Sequence, residues 1–176
     1  STTEPVRAPE DPAIRFDEEA HRYYVDGRWV RSVTQVLNIV TGPIYGRIPE
    51  HILEYARARG AAVHGWTELY DLDELEGRTP DPEGAVWPYF QAWLRFREES
   101  GFQPLIVEQR LYHPRHRYCG TVDRIGLLNG RLVTLEIKTV AKLAGWVGLQ
   151  TAGYQEAFNH GRPKAEQARD RFAVQL

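Results

Sequence analysis

A single cysteine, Cys119, stands in 176 residues. It excludes an intramolecular disulfide, a four-cysteine zinc site and a four-cysteine iron-sulfur cluster, so a disulfide-stapled secreted domain is ruled out and a reducing compartment is expected. No apolar run approaches the ~20 residues that span a bilayer. The first segment, STTEPVRAPEDP, is polar where a signal peptide would be apolar, and no membrane partner is expected. Tandem repeats, low-complexity tracts and Gly/Ser linkers are missing too, which leaves one domain over residues 1–176, with 1–14 expected to be flexible. Net charge is equally scarce, at −2. That small total hides a division: residues 68–83 hold seven acids and one base, whereas 106–142 hold seven bases and three acids. An acidic loop over 71–84 therefore masks a basic stretch, and the weakly negative total does not exclude a nucleic-acid partner.

What is present reads as an α/β chain. Tyr23-Tyr24-Val25 and Arg28-Trp29-Val30 flank Asp26-Gly27, a two-residue hairpin signal. Ser32 and Gln35 are spaced as a capping box, predicting a short helix that runs to Gly42-Pro43. A helical stretch follows from Pro49 to Leu72, with a break expected near Gly60, and another from Glu83 to Ser100 carries Pro88 in its first turn. The period then changes to that of strands, over 105–112, 118–128 and 131–139, the last two joined by Asn129-Gly130. A helix over 146–160 closed by Gly161 and a strand over 171–176 complete the order. The expectation is a mixed β-sheet flanked by helices, with an N-terminal β-hairpin and a helical insertion.

The Asn129-Gly130 turn allows a geometric inference. In a two-residue hairpin Leu128 faces Arg131, and counting outward Asp123 faces Glu136 while Thr121 faces Lys138. Facing residues have Cβ atoms about 4.5–5.5 Å apart, and like charges there destabilise the sheet. Two carboxylates so placed call for a compensating cation or a raised pKa. Lys138 supplies one positive charge; a divalent ion would supply two and would take oxygen ligands, which suits Mg²⁺ or Mn²⁺. A solvated Asp/Glu/Lys cluster on the open side of a hairpin is the alternative, disfavoured because this strand lies between a second hairpin strand and a covering helix, and a one-residue bulge would break the register.

Asp123 followed by Glu136-Ile137-Lys138 reads as D-x12-E-x-K. Gly60-Ala61-Ala62-Val63-His64 with Glu68, Gln150-Thr151-Ala152-Gly153-Tyr154, and Ser32-Val33-Thr34-Gln35-Val36-Leu37 surround it. Together these resemble the PD-(D/E)xK nuclease superfamily in its RecB-type and phage-type exonuclease branch, whose helix carries G-x-x-x-H…E and whose catalytic strand is followed by Q-x-x-x-Y. Val122 stands where the signature has proline, and the lone cysteine separates the chain from relatives that carry an iron-sulfur cluster.

The resemblance implies a restriction-endonuclease-like core and a Mg²⁺- or Mn²⁺-dependent deoxyribonuclease, an exonuclease of recombination, repair or phage DNA processing. It implies metal ligation by His64, Asp123 and Glu136, with Lys138 orienting or deprotonating the attacking water. Glu68, Gln150 and Tyr154 would support the ligands or position substrate. DNA, single- or double-stranded, is the implied partner, with a recombination or annealing protein or a second copy as further candidates, and the cytoplasm of a bacterium or phage-infected host as the compartment. Phosphate contacts are expected from Arg57 and Arg59 ahead of His64 and from Arg110, Arg115, Arg117, Arg124 and Lys142 of the basic stretch, where His113, His116 and Tyr118 are interleaved. A structure- or sequence-specific endonuclease on the same fold, and a non-catalytic DNA-binding module that keeps it, are the alternatives.

Overall fold

The computed structural model describes residues 4–41, 48–140, 143 and 145–176. The chain runs β1 (Val6–Arg7), β2 (Ile14–Asp17), β3 (Arg22–Val25), β4 (Arg28–Ser32), α1 (Val33–Thr41), α2 (Glu50–Asp71), α3 (Trp87–Ser100), β5 (Gln103–His113), β6 (Tyr118–Leu128), β7 (Arg131–Lys138), α4 (Val147–Asn159) and β8 (Asp170–Gln175). This is an α/β fold with a mixed sheet flanked by helices.

Two Asx-Gly turns set the register. Asn129 and Gly130 take φ of 51° and 73°, and Asp26 and Gly27 take 48° and 78°; positive φ at both central residues is the type I′ turn, whose twist matches the strands it joins. β6 and β7 pair as the turn dictates, from Leu128↔Arg131 out to Arg124↔Leu135. β5 lies antiparallel on the other side of β6, β8 runs parallel to β7, and β1 adds in parallel to β5. Val6–Arg7, inside the segment expected to be loose, thus form a strand, and Arg7 is tied by ion pairs to Glu68 and Glu74.

The N-terminal hairpin gains a third strand, β2, so that β2, β3 and β4 form an antiparallel meander. β4 then joins the main sheet in parallel at the first residues of β6, Arg31↔Tyr118 and Ser32↔Cys119. The same edge of β6 therefore holds β4 at one end and β7 at the other, with residues 120–123 between them free of strand pairing on that side.

Local signals mark the helices. Ser32 and Gln35 make the reciprocal capping box: the Gln35 amide donates to Ser32 Oγ at 3.1 Å, and the Ser32 amide to Gln35 Oε1 at 2.9 Å. Gly42 and Pro43, the expected end of α1, lie outside the described residues. α2 does not break at Gly60; the glycine lets Thr139 approach, since a Cβ there would stand 3.2 Å from its Oγ1. α3 begins with Pro88 in its first turn and ends on Gly101 at φ 67°.

Helix α4, with Tyr154, Ala157 and Phe158, packs on one face of the sheet against Leu111, Val122 and Ile125, and Val33 of α1 joins it. On the other face Trp93 of α3 meets Phe102, Val133, Leu135 and Ile137. Such fully buried side chains contribute roughly 1.5–3 kcal/mol each. A third apolar group, Ile14, Tyr23, Val25 and Cys119, fixes the meander to β6. No helix among the described residues is long and apolar enough to cross a membrane.

Candidate metal centre

Asp123 sits where β6 loses its β7 partner. The last paired residues are Arg124 and Leu135; beyond them side chains replace the ladder. The Ile137 amide donates to Asp123 Oδ2 at 2.7 Å, and the Asp123 amide donates to Glu136 Oε1 at 3.0 Å. Asp123 and Glu136 are thus brought together as the turn predicts, but by bonds between side chain and main chain; the ladder ends before them and before Thr121 and Lys138, the second pair expected to face.

A carboxylate that the sequence reading did not select completes the cluster. Val107 pairs with Arg124 and Gln109 with Val122, so Glu108 faces Asp123 from the other side. Glu108 has φ of 58°, left-handed for a residue with a β-carbon, a conformation that costs of order 1–3 kcal/mol and is concentrated at functional sites.

The facing of both strands reverses here. Val122 and Ile125 both reach the α4 side, although they are three residues apart, while Arg124 between them points to α2 and α3. On β5, Leu111 and Ile106 likewise share the α4 side across an odd separation. A strand of strict period two cannot do this. The reversal centres on Glu108 and Asp123 and turns both carboxylates to the face that α2 crosses.

From α2, His64 brings its Nδ1 to 3.3 Å from Asp123 Oδ1. His64, Glu108 and Asp123 each offer a ligand atom, and these lie within 4.8 Å of one another. Ligands at the 2.0–2.2 Å bond lengths of a small divalent ion stand at most about 4.4 Å apart, so this group could hold a metal ion after small side-chain shifts. One imidazole and two carboxylates suit Mn²⁺-type and Mg²⁺-type ions. Glu136, 5% exposed, stands beside this cluster with one oxygen engaged by the Asp123 amide.

The protonation pattern follows from the crowding. Burial pushes Asp123 up, but the charge and hydrogen bond of His64, the Ile137 amide and Glu136 outweigh it and hold Asp123 below the usual carboxylate range. Asp123 in turn raises His64, against the effect of burial. Burial and then Asp123 push Glu108 up to about 7. Glu136 rises well above the carboxylate range for the same two reasons, with Lys138 working against them. Three carboxyl groups share a nearly dry site, where burial and mutual repulsion favour the neutral form unless a positive charge stands nearby.

Lys138 ends β7, two residues from Glu136 on the same face, with Nζ 5.9 Å from the Trp146 ring. Arg59 donates to the carbonyl of the next residue, Thr139, at 3.4 Å. Among the described residues, Arg59 Nε and Trp146 Nε1 are buried without a partner, as is Gln150 Oε1. An unmet buried donor costs about 1–3 kcal/mol, and two of them beside a lysine would be satisfied by an anionic ligand. Gln150 Nε2 donates to the Tyr154 hydroxyl at 3.2 Å, and both side chains are buried beneath the site. The Tyr154 ring lies flat on Gly120, where a Cβ would come within 2.3 Å of it.

Other expected contacts are distributed differently. Glu68 accepts from Arg7 Nε at 3.0 Å. Arg57 is exposed and paired with Glu50; Arg115 and Arg117 are exposed in the β5–β6 turn; the guanidinium of Arg110 lies 6.0 Å from the Phe16 ring. His113 is buried, stacked on Tyr118 and packed 4.6 Å from both His116 and His160. Lys142 lies outside the described residues.

Arg124 is a correction. Expected at a phosphate, it is fully buried: it pairs with Leu135 and, like Gly126 and Leu128, falls by ordinary alternation on the α3 side of β6. Its Nε donates to Asp71 Oδ2 at 2.7 Å, its Nη1 to the Asp123 carbonyl at 2.7 Å and its Nη2 to Thr67 at 3.4 Å. Asp71, counted with the solvated acidic loop, is the buried end of α2 and also accepts from Arg97 and from Trp93 Nε1. This node joins α2, α3 and β6 directly behind the candidate metal ligands.

No protein-family model matches the chain, and the search of curated proteins gives no match.

Proposed function

We propose that this protein is a divalent-metal-dependent deoxyribonuclease with a restriction-endonuclease-like core, acting on DNA ends as an exonuclease. The observation that carries the reading is the gap in β6 pairing that gathers His64, Glu108 and Asp123 within 4.8 Å, with Glu136 alongside and Lys138 two residues on. His64, Glu108 and Asp123 would hold a Mg²⁺ or Mn²⁺ ion, and Glu136 would join them once its proton is lost. When bound, the ion would polarise a phosphoryl oxygen and lower the pKa of water.

The side chains supply the rest. Lys138 orients the attacking water and offsets the charge that builds on phosphorus, with Arg59 and the Trp146 indole N–H within the same rim. The water oxygen bonds to phosphorus, the ester P–O bond breaks, and the proton given up by the water balances the one taken by the departing alkoxide. Gln150 and Tyr154 hold the floor beneath Glu136.

End-labelled linear DNA should be degraded with Mg²⁺ or Mn²⁺ and spared with EDTA, and closed circular DNA should survive. Glu108→Gln and Lys138→Ala should each lower turnover by 10²-fold or more. Full activity of Lys138→Ala would overturn the mechanism, and cleavage of the circle would favour an endonuclease.

A further inference from the structure

The meander carries a second feature, on the face turned away from the core. Ile14, Phe16, Tyr23, Val25 and Val30 alternate inward, so Arg15, Arg22, Tyr24, Trp29 and Arg31 alternate outward. A half-solvated antiparallel sheet ordinarily shows a polar outer face. Here two large aromatic rings occupy it as a cross-strand pair, Tyr24↔Trp29, and Trp29 is 51% exposed.

The register extends this row to Arg15, which pairs with Tyr24 and lays its guanidinium 4.2 Å from the ring centroid. Arg31, two residues from Trp29 on the same face, holds its guanidinium 5.8 Å from the indole. Three arginines thus stand with the two rings. The one acid among them, Asp17, is paired in register with Arg22 and accepts from the Ala20 amide. Beside Trp29 an open groove of about 720 Å³ continues over Arg28, Arg31 and Arg117, with Asp26 the one acid in its lining.

We propose that this outer face is a stacking platform for single-stranded nucleic acid. Bases stack on exposed aromatic rings regardless of sequence, and guanidinium planes extend the stack while neutralising phosphates. A duplex hides its base faces and would leave the two rings unused, so the arrangement selects for a single strand. The platform lies within a short single strand's reach of the candidate metal centre. Arg31 pairs with Tyr118, five residues from Asp123, a distance of about 16 Å along the strand. On the inward side Tyr23 hydrogen-bonds Thr121 at 2.7 Å, two residues from Asp123. The proposal rests on the nuclease reading for the fate of the strand, though not for its capture.

Binding is therefore measured apart from cleavage, by fluorescence anisotropy of labelled dT20, rU20 and a 20-bp duplex in EDTA. The wild type should bind dT20 more tightly than the duplex, and Trp29→Ala should weaken dT20 binding 5- to 150-fold, the range of one lost stacking contact. Trp29→Phe should keep most of the affinity, because the ring face remains. Arg31→Ala should flatten the salt dependence of binding by about one phosphate contact. Far-UV circular dichroism checks that each variant is folded, and with Mg²⁺ present Trp29→Ala should raise KM for single-stranded DNA with kcat retained. The rU20 arm shows whether the platform accepts RNA as well.

Unchanged dT20 affinity in Trp29→Ala overturns the proposal whatever the cleavage result. Binding of dT20 with no cleavage in metal leaves the platform standing and removes the nuclease. Cleavage of duplex with no dT20 binding does the reverse. Self-association that Trp29→Ala abolishes, with no affinity for dT20, would overturn the proposal and assign the face to a second copy of this chain.

Discussion

Asp71→Ala is the most informative single change, because it separates what holds the fold from what holds the metal ligands. The carboxylate accepts from Arg124 and Arg97 and from the Trp93 indole, and the Arg124 side chain is wholly shielded from water. Arg97 keeps 22% of its side chain exposed and can be hydrated when its partner goes. Arg124 cannot, so the cost falls there: an uncompensated buried charge is worth about 3–5 kcal/mol. The orphaned Trp93 N–H adds about 1–3 kcal/mol. These terms overlap, since water entering the small hole left by the carboxylate would serve both, and the net expected loss is about 4 kcal/mol. Against a total stability of about 5–15 kcal/mol, that leaves a folded but fragile protein. With a urea slope near 2 kcal/mol per M, the unfolding midpoint should fall by about 2 M.

The second readout is metal affinity. Arg124 Nη1 holds the carbonyl of Asp123 itself, and groups that orient ligands from behind are worth about 10–100-fold in affinity. Titration of Mn²⁺, read by calorimetry, should show that loss even under conditions where the variant is fully folded. The double variant Asp71→Leu, Arg124→Met should recover much of the stability, as buried ion pairs replaced by apolar groups often do, without recovering the metal affinity. A midpoint within 0.3 M of wild type for Asp71→Ala, a loss under about 1 kcal/mol, would refute the reasoning by showing that the node is solvated.

Four further expectations can be checked directly. Metal affinity should rise steeply from pH 6 to 8, because Mn²⁺ must displace protons held by His64 and Glu108, both raised in the folded protein, Glu108 to about 7; a flat calorimetric profile would count against these ligands. In EDTA the same Glu108 shift has the opposite consequence for folding: an acid whose folded pKa is raised stabilises at low pH, and that contribution is lost as pH climbs from its unfolded value near 4.5 through about 7. Thermal midpoints without metal should decline across that window, and Glu108→Gln should make the decline shallower, with Glu136 and His64, both also raised, supplying the remainder. Cys119 is fully buried with its thiol pushed up to about 12, so iodoacetamide at pH 8 should label it only in urea; labelling of the native protein would show that the meander opens. Gly120→Val should destabilise by at least about 1–3 kcal/mol, because its side chain would enter the Tyr154 ring.

How much of this was legible in the sequence depends on whether a feature is set by neighbours along the chain or by partners across it. The two type I′ turns, the capping box, Pro88 and the Gly101 cap are local, and strands 118–128 and 131–138 follow from them. Asp123 opposite Glu136 was legible for the same reason, since a turn of known length fixes a register by counting. Strands β1 and β2 were not: Val6–Arg7 is two residues long and is ordered by its pairing with β5 and by Arg7 reaching Glu68 and Glu74.

Glu108 and Arg124 mark the boundary most clearly, because partners across the fold decide the role of each. With Asp123 read as facing the site, strict alternation along β6 puts Arg124 on the opposite face, and its charge alone suggests a phosphate contact. The left-handed Glu108 and the reversal of facing at Asp123 bring a third carboxylate to the site, while Arg124 keeps the alternation of the paired strand and meets Asp71. The signal available was Glu108 itself, an acid in the apolar run Leu105-Ile106-Val107. Pairing β5 with β6 through the turn at 114–117, with Val107 opposite Arg124 and Gln109 opposite Val122, places Glu108 beside Asp123. Three acids on three adjacent strands at one level of a sheet repel one another unless a cation or shared protons intervene. The strain at Glu108 is then a consequence of one requirement, that the candidate ligands meet on a single face.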